Sequence, residues 1–409
     1  MTNAEQSLQL HAKLRGKLTI DPKTPLKNPS DLALLYTPGV AEPCRKIHKN
    51  KEEVFTYTGK GNLVAVVTDG SAVLGLGNIG PEAGLPVMEG KSLLFKVFGG
   101  VDSIPLCLDT QDTQEIIRTV EILAPGFGGI NLEDIAAPRC FEIEEALKAR
   151  LSIPVFHDDQ HGTAIVTLAG LIGALKITAR RAQDCKVVIS GGGSAGTAIS
   201  KMLLAYGFRH IVVCDRFGAM IASDDRLTSA QQVLASLTNP YLEQGSLSEV
   251  LQGADIFIGV SVPNILNPIH IQAMAPNPIV FAMANPDPEI LPAEALAGGA
   301  KVVATGRSDF PNQINNVLAF PGIFRGALDV RALEINEPMK LAAAIALSSL
   351  VTNDDLSKGI IIPGAFHPEA ALRVALATAQ TAIKTGCALR PLAAADLETL
   401  IRQRLGLAE

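Results

Sequence analysis

The 409-residue sequence contains no tryptophan, and aromatic residues make up only 4% of it. With a net charge of -6 as well, it has neither a basic footprint nor a stacking platform, so no nucleic-acid partner is expected. A long uninterrupted hydrophobic run is also missing. Although 47% of the residues are hydrophobic, the longest near-apolar stretch, residues 163–175, falls short of the ~20 residues that cross a bilayer. It reads as a buried core helix, and no membrane association is expected. The first 17 residues mix Glu5, Lys13, Arg15 and Lys17 without an apolar centre, so no secretory leader is expected. The six cysteines, at positions 44, 107, 140, 185, 214 and 387, form no close C-x-x-C pair. Reduced thiols in a cytoplasmic protein follow from that pattern.

What the chain does have is length for two ordinary domains, each with its own core. Its hinge is expected at residues 153–164, where an apolar extended run delivers Asp158 and Asp159 and then starts the long apolar helix. In open α/β sheets such strand ends face the ligand crevice. A plain helix cap explains the same two acids without any chemistry. His157 and His161 are spaced like a zinc-protease pair, but Pro154 and the β-branched residues before them favour extended backbone, which argues against one helical face.

A second acidic doublet, Glu133 and Asp134, follows the glycine-rich turn at residues 126–129, and a helix-like segment at 141–150 separates the two doublets. That order has the make-up of a β-α-β unit, which would bring both doublets to one sheet edge. Carboxylates gathered there repel unless a cation joins them, and Mg²⁺ or Mn²⁺ suits an all-oxygen set.

Two glycine runs compete for the role of phosphate loop. The run from Gly75 to Gly80 follows a buried strand at residues 62–68, but Pro81 comes directly after it, and no long helix is expected to open there. The run from Gly191 to Gly196 has the fuller context of strand, G-x-G-x-x-G, helix and second strand ending in Asp215. Gly191, Gly193, Ser194, Ala195 and Gly196 would then cradle a pyrophosphate at a helix N-terminus, with Asp215 on a ribose hydroxyl. The neighbouring Arg216 suits a 2′-phosphate, so NAD and NADP both stay open.

Further strands at residues 256–259, 279–284 and 301–305 alternate with helices or loops, as a doubly wound sheet requires. Asn285, Asn315 and Asn316 sit at or beyond their ends, and side-chain amides there either meet a ligand or simply tie down loops. Tyr36 stands where Pro38 and Gly39 break an apolar helical turn, as a proton donor or as an anchor of the core edge. Lys91 heads what reads as a short amphipathic helix, either desolvated into a base or simply solvated. The expected architecture is α/β: an N-terminal α/β domain over residues 1–155, a Rossmann-like dinucleotide-binding domain over 156–330, and C-terminal helices over 331–409 packing back as a cap.

Seven stretches together resemble the malic enzyme family, in its short bacterial form without a phosphotransacetylase-like extension. They are Tyr-Thr-Pro-Gly-Val at 36–40, the Gly75 run, Glu-Gly-Lys at 89–91, Asn-Leu-Glu-Asp-Ile at 131–135, Phe-His-Asp-Asp-Gln-His-Gly-Thr-Ala at 156–164, Ala-Asn-Pro at 284–286 and Asn-Gln-Ile-Asn-Asn-Val at 312–317. The resemblance implies oxidative decarboxylation of L-malate to pyruvate and CO₂ with reduction of NAD or NADP, in a homodimer. It also implies Glu133, Asp134 and Asp159 as metal ligands, Lys91 as base and Tyr36 as acid. Asn285 and Asn316 would contact the substrate, with Asn285 also near the cofactor. Two departures stand out: Ala72 occupies the place of an arginine in larger relatives, and Gly192 that of an alanine common inside the fingerprint. An oxaloacetate decarboxylase, a malolactic enzyme or a dinucleotide sensor without turnover are the alternatives, and net cofactor reduction by malate separates them.

Overall fold

The computed structural model describes residues 2–407. Two parallel sheets carry it. The first is formed by β1 (Leu63–Thr68), β2 (Asp102–Cys107), β3 (Gly129–Leu132) and β4 (Val155–His157), in the order β2-β1-β3-β4. The second is formed by β5 (Lys186–Ser190), β6 (His210–Asp215), β7 (Gly218–Ala219), β8 (Ile256–Gly259), β9 (Ile279–Ala282) and β10 (Val302–Thr305), in the order β10-β9-β8-β5-β6-β7. Only β7 runs antiparallel, as a short edge strand on β6. Strands covered by helices on both faces must be apolar throughout, and β1 and β5 are continuous runs of Val, Ile, Leu and Ala apart from Thr68, Lys186 and Ser190 at their ends. The strand order reverses at β5, whose neighbours are β6 and β8, and that opens a crevice at their carboxyl ends.

The helix Thr163–Thr178 joins the two sheets and buries twelve of its residues. With the wide π-type turn before it, the helical stretch Asp158–Thr178 reaches 21 residues, longer than the apolar run that announced it. Length and composition alone would let it cross a bilayer, but 72% of an 18-residue portion of it is buried inside the fold, against the helices Ser194–Tyr206 and Glu337–Ser348. The C-terminal helices Glu337–Ser348, Ala370–Lys384 and Ala394–Arg404 pack back on the body and contribute to its main core.

One expectation fails here. A 19-residue helix, Pro81–Gly99, opens immediately after Gly80. Proline at the first helical position gives up only an N–H that has no intrahelical acceptor anyway, so Pro81 starts the helix rather than breaking it. Lys91 therefore lies in the middle of a long helix and not at the head of a short one.

The N-terminal segment packs lightly: Lys17 donates its backbone N–H to Glu89 Oε2 at 3.1 Å and its Nζ to Pro86 O at 2.8 Å, both on the Pro81–Gly99 helix. The helices Asn3–Leu14, Pro29–Leu35 and Ala41–Lys49 contain no buried residue. Leu8, Ile20, Leu34 and Tyr36 are 74%, 90%, 74% and 65% exposed.

Candidate active site

The carboxyl ends of both sheets open into one cavity of about 650 Å³. Glu133 and Asp134 follow β3, Asp159 follows β4, and pairing of β3 with β4 sets the two doublets side by side. Glu133, Asp134 and Asp159 each offer an oxygen, and the three lie within 4.8 Å of one another. The backbone enforces this convergence: Asp134 adopts φ 53°, and its N–H donates to Asp159 Oδ2 at 2.8 Å. Burial and Asp159 push the Asp134 carboxyl up to about 8. Burial, with Asp159 and Asp158, also pushes Glu133 up, against the opposing pull of Lys91. Asp134 Oδ2 is buried without a hydrogen-bond partner in the protein. Three crowded oxygens, one of them unpaired, are what a hard divalent cation would satisfy, so the donor set fits such an ion.

Lys91 reaches the cluster from the Pro81–Gly99 helix. Its Nζ lies 2.7 Å from Glu133 Oε1 and 2.6 Å from Asp158 Oδ2, and 4.3 Å from the centre of the Phe320 ring. Burial opposes the charge, but Asp158, Glu133 and Asp159 outweigh it and hold the ammonium above the usual lysine range. Asp158 is fully buried and also accepts from Asn316 Nδ2 at 3.0 Å, while Asn316 Oδ1 accepts from Thr163 Oγ1 at 3.2 Å. Sequence reasoning placed Asp158 at the cleft without giving it a partner; the close tie to Lys91 is 67 residues away in the chain and has no local signal.

The two histidines face different acids, with His157 Nδ1 3.7 Å from Asp159 Oδ2. His161 Nε2 sits 2.8 and 2.9 Å from the two oxygens of Glu144, and Lys340 Nζ lies 3.1 Å from His161 Nδ1. Burial, and then Lys340 among its neighbours, lowers the His161 ring to about 4 in spite of Glu144. His157 belongs to β4 and is fully buried.

The far wall of the cavity comes from the second sheet. Ser194 and Ala195 of the Gly191 run line it, together with Ser261, Asn285 and Asn316. Two glycines of the run are structurally obligatory: Gly191 has φ +119°, and a Cβ on Gly196 would lie 1.8 Å from Gly191 O. A Cβ on Gly193, by contrast, would meet nothing within 4 Å, which leaves its backbone open to a ligand. The Gly75 run meets the same cavity from the first sheet, where a Cβ on Gly75 would lie 2.4 Å from Asn285 O. Asp215 and Arg216 lie outside the lining, at the end of β6. Asp215 Oδ1 accepts from Phe217 N–H at 2.7 Å, and the Arg216 guanidinium stacks 4.7 Å from the Phe217 ring centre.

Another expected residue, Tyr36, is missing from the lining, and no arginine there stands in for the one that Ala72 replaces. Ala72 lines the wall, and among the described residues Lys91 is the one cationic residue there. The nearby Arg139 is engaged elsewhere, with Asp69 at 2.8 Å and Ser71 Oγ at 3.0 Å. Tyr36, at the C-cap of the Pro29–Leu35 helix, does not line the cavity at all.

Comparison with known proteins places this geometry in context. Residues 15–148 match the family model described as malic enzyme, N-terminal domain, and residues 160–383 that described as malic enzyme, NAD binding domain. The chain is 56% identical over 389 residues to the bifunctional malic/malolactic enzyme of Bacillus subtilis, covering 95% of each chain. It is 48% identical to the NADP-dependent malic enzyme of Halomonas elongata, covering 96% of each. Among solved structures, the malic enzyme of Pyrococcus horikoshii superposes with a TM-score of 0.93 at 44% identity, covering 99% of this chain and 96% of that one.

Proposed function

The chain belongs to the malic enzyme family, and from that premise we propose that it converts L-malate to pyruvate and CO₂ while reducing NAD or NADP, with a divalent ion held by Glu133, Asp134 and Asp159. One observation carries the reading: Lys91 sits between Asp158 and Glu133, against the three-carboxylate cluster, in the same cavity as Ser194 and Ala195 of the dinucleotide loop. When bound, Mg²⁺ or Mn²⁺ supplies Lewis acidity at the C2 oxygen, and the nicotinamide supplies the hydride acceptor.

The chain's own residues handle the protons and the orientation. Lys91 takes the proton from the C2 hydroxyl, which requires its neutral form. Of the three acids that favour its charge, Glu133 and Asp159 would also hold the metal, which would leave Asp158, 2.6 Å from Nζ, as the partner that shares its proton. Asn316, braced by Asp158 and Thr163, and Asn285 on the opposite wall orient the substrate. Tyr36 then protonates C3 of the enolate left after CO₂ departs.

That last role requires Tyr36 to reach a cavity it does not line, and we assign it to a second copy of this chain in a homodimer. Three observations support the assignment. No residue of the N-terminal helices is fully buried on their own body. The first 60 residues carry ten Lys or Arg and six Asp or Glu, whereas the rest carries 25 and 35, so the arm is complementary in charge to the body it would cover. Beside the cavity, exposed Leu74 and Leu76 and the exposed stripe of Leu85, Leu93 and Val97 on the Pro81–Gly99 helix offer an apolar seat. The division into a substrate-and-metal half over residues 1–155, a dinucleotide half over 156–330 and a helical cap over 331–409 completes the reading.

A malolactic outcome, with lactate as product and no net reduction, is the second reading, favoured by the name of the Bacillus relative. Product analysis separates the two: purified protein with malate, Mn²⁺ and each dinucleotide yields pyruvate and reduced cofactor in equal amounts on the first reading, and lactate on the second.

A further inference from the structure

Glu289 is fully buried, 0% exposed, and belongs to neither the metal cluster nor the phosphate loop. Its Oε1 accepts the backbone N–H of Ser261 at 3.0 Å, and its Oε2 accepts that of Ala284 at 3.1 Å. Ser261 lies just beyond β8 and Ala284 just beyond β9, and both line the cavity, as do Val260, Met283 and Asn285. One carboxylate therefore ties together the two loop starts that form the second-sheet wall. Gly259, the last residue of β8, makes room for it: a Cβ there would lie 2.2 Å from the carboxyl carbon. The tie extends across the crevice, because Ser261 Oγ lies 2.9 Å from Ser190 Oγ at the end of β5. Those are the two strands between which the strand order reverses.

We propose that Glu289 is a positioning residue for the dinucleotide: it fixes the wall made by residues 259–261 and 283–285, so that cofactor affinity depends on a carboxylate that does not touch the cofactor. The inference rests on the reading of this cavity as an NAD or NADP site. Its chemistry is specific to a carboxylate, which offers two acceptors to two converging N–H groups. A glutamine offers one acceptor and turns an amide N–H₂ against the other donor, leaving that buried N–H unpaired and the two loops without a common anchor.

The test is calorimetric titration of NAD and of NADP into metal-free, malate-free protein, wild type against Glu289→Gln, with Mn²⁺ affinity measured on the same preparations. The proposal expects both dinucleotide Kd values to rise roughly tenfold, the equivalent of one lost buried hydrogen bond, while Mn²⁺ affinity stays within about twofold. If Glu289→Gln does not fold, Glu289→Asp keeps the charge but withdraws it by one methylene, and the same weakening is expected of it. Unchanged dinucleotide affinity, with or without a lower melting temperature, overturns the proposal, as does equal weakening of Mn²⁺ and dinucleotide. Wild-type protein that binds neither NAD nor NADP overturns instead the reading on which the proposal stands.

Discussion

Mixing two crippled variants should restore activity. Lys91→Ala removes the base, and Tyr36→Phe removes the acid; each alone should lower malate turnover by about 10²-fold to 10⁴-fold, the usual worth of a positioned proton-transfer group. In the homodimer proposed here, each cavity takes Lys91 from one chain and Tyr36 from the other. A mixed dimer then holds one cavity with both residues intact and one with both removed. Random pairing of equal amounts makes half of the dimers mixed, so about a quarter of all cavities regain wild-type function in a two-fold symmetric assembly. The structural basis is the 65% exposure of Tyr36 and its absence from the lining of the cavity that buries Lys91. The assay uses two differently tagged variants, co-expressed and purified through both tags in sequence, with malate-dependent reduction of NAD or NADP as the readout. Doubly purified mixed dimers should reach about half of wild-type turnover, one cavity of two. If they are no more active than the single variants, Tyr36 and Lys91 act within one chain and the shared-site reasoning is refuted.

The two variants should also fail at different steps: Tyr36→Phe should still reduce oxaloacetate to malate while losing proton exchange at C3 of pyruvate, and Lys91→Ala should lose malate oxidation; equal loss in every partial reaction contradicts separate roles. Exhaustive chelation should abolish turnover, and Asp159→Ala should raise the Mn²⁺ requirement by on the order of 10-fold to 100-fold or eliminate activity. The metal-free protein should lose stability as pH rises from about 4, the usual carboxyl value, because the folded form keeps a proton on Asp134 up to about 8 that the unfolded chain has already released. Melting curves between those limits should flatten when Mn²⁺ is added, and a slope unaffected by Mn²⁺ contradicts the assignment of the cluster. Arg216→Ala should raise the Michaelis constant for NADP by about 10-fold to 100-fold, some 1–3 kcal/mol, and leave that for NAD nearly unchanged; an unaltered preference means that Arg216 faces away from the cofactor.

The parts of the site legible in the sequence are those set by local order. The acid doublets came together because a strand, a short helix and a strand have one common solution, adjacent parallel strands with their ends on one edge. The Gly191 run was legible because glycine there answers a backbone requirement, seen in the φ of Gly191 and the tight approach at Gly196. Other features depended on distant partners. Pro81 has the same identity whether it breaks a helix or begins one, and only the packed helix decides between the two. Asp158 and Lys91 are 67 positions apart, and neither carries a mark of the other. Glu289 looks like any acid near a proline-rich turn until two strand ends close around it. That no residue of the N-terminal helices is fully buried on its own chain is likewise nothing that local sequence announces.

The central claim is that this cavity oxidises and decarboxylates malate at a divalent ion. Incubating the purified protein with L-malate, Mn²⁺ and either NAD or NADP, while following nicotinamide absorbance and assaying pyruvate and CO₂, tests it most directly. The account predicts reduced cofactor, pyruvate and CO₂ in equal amounts, all lost on chelation; lactate without net reduction, or turnover that survives chelation, contradicts it.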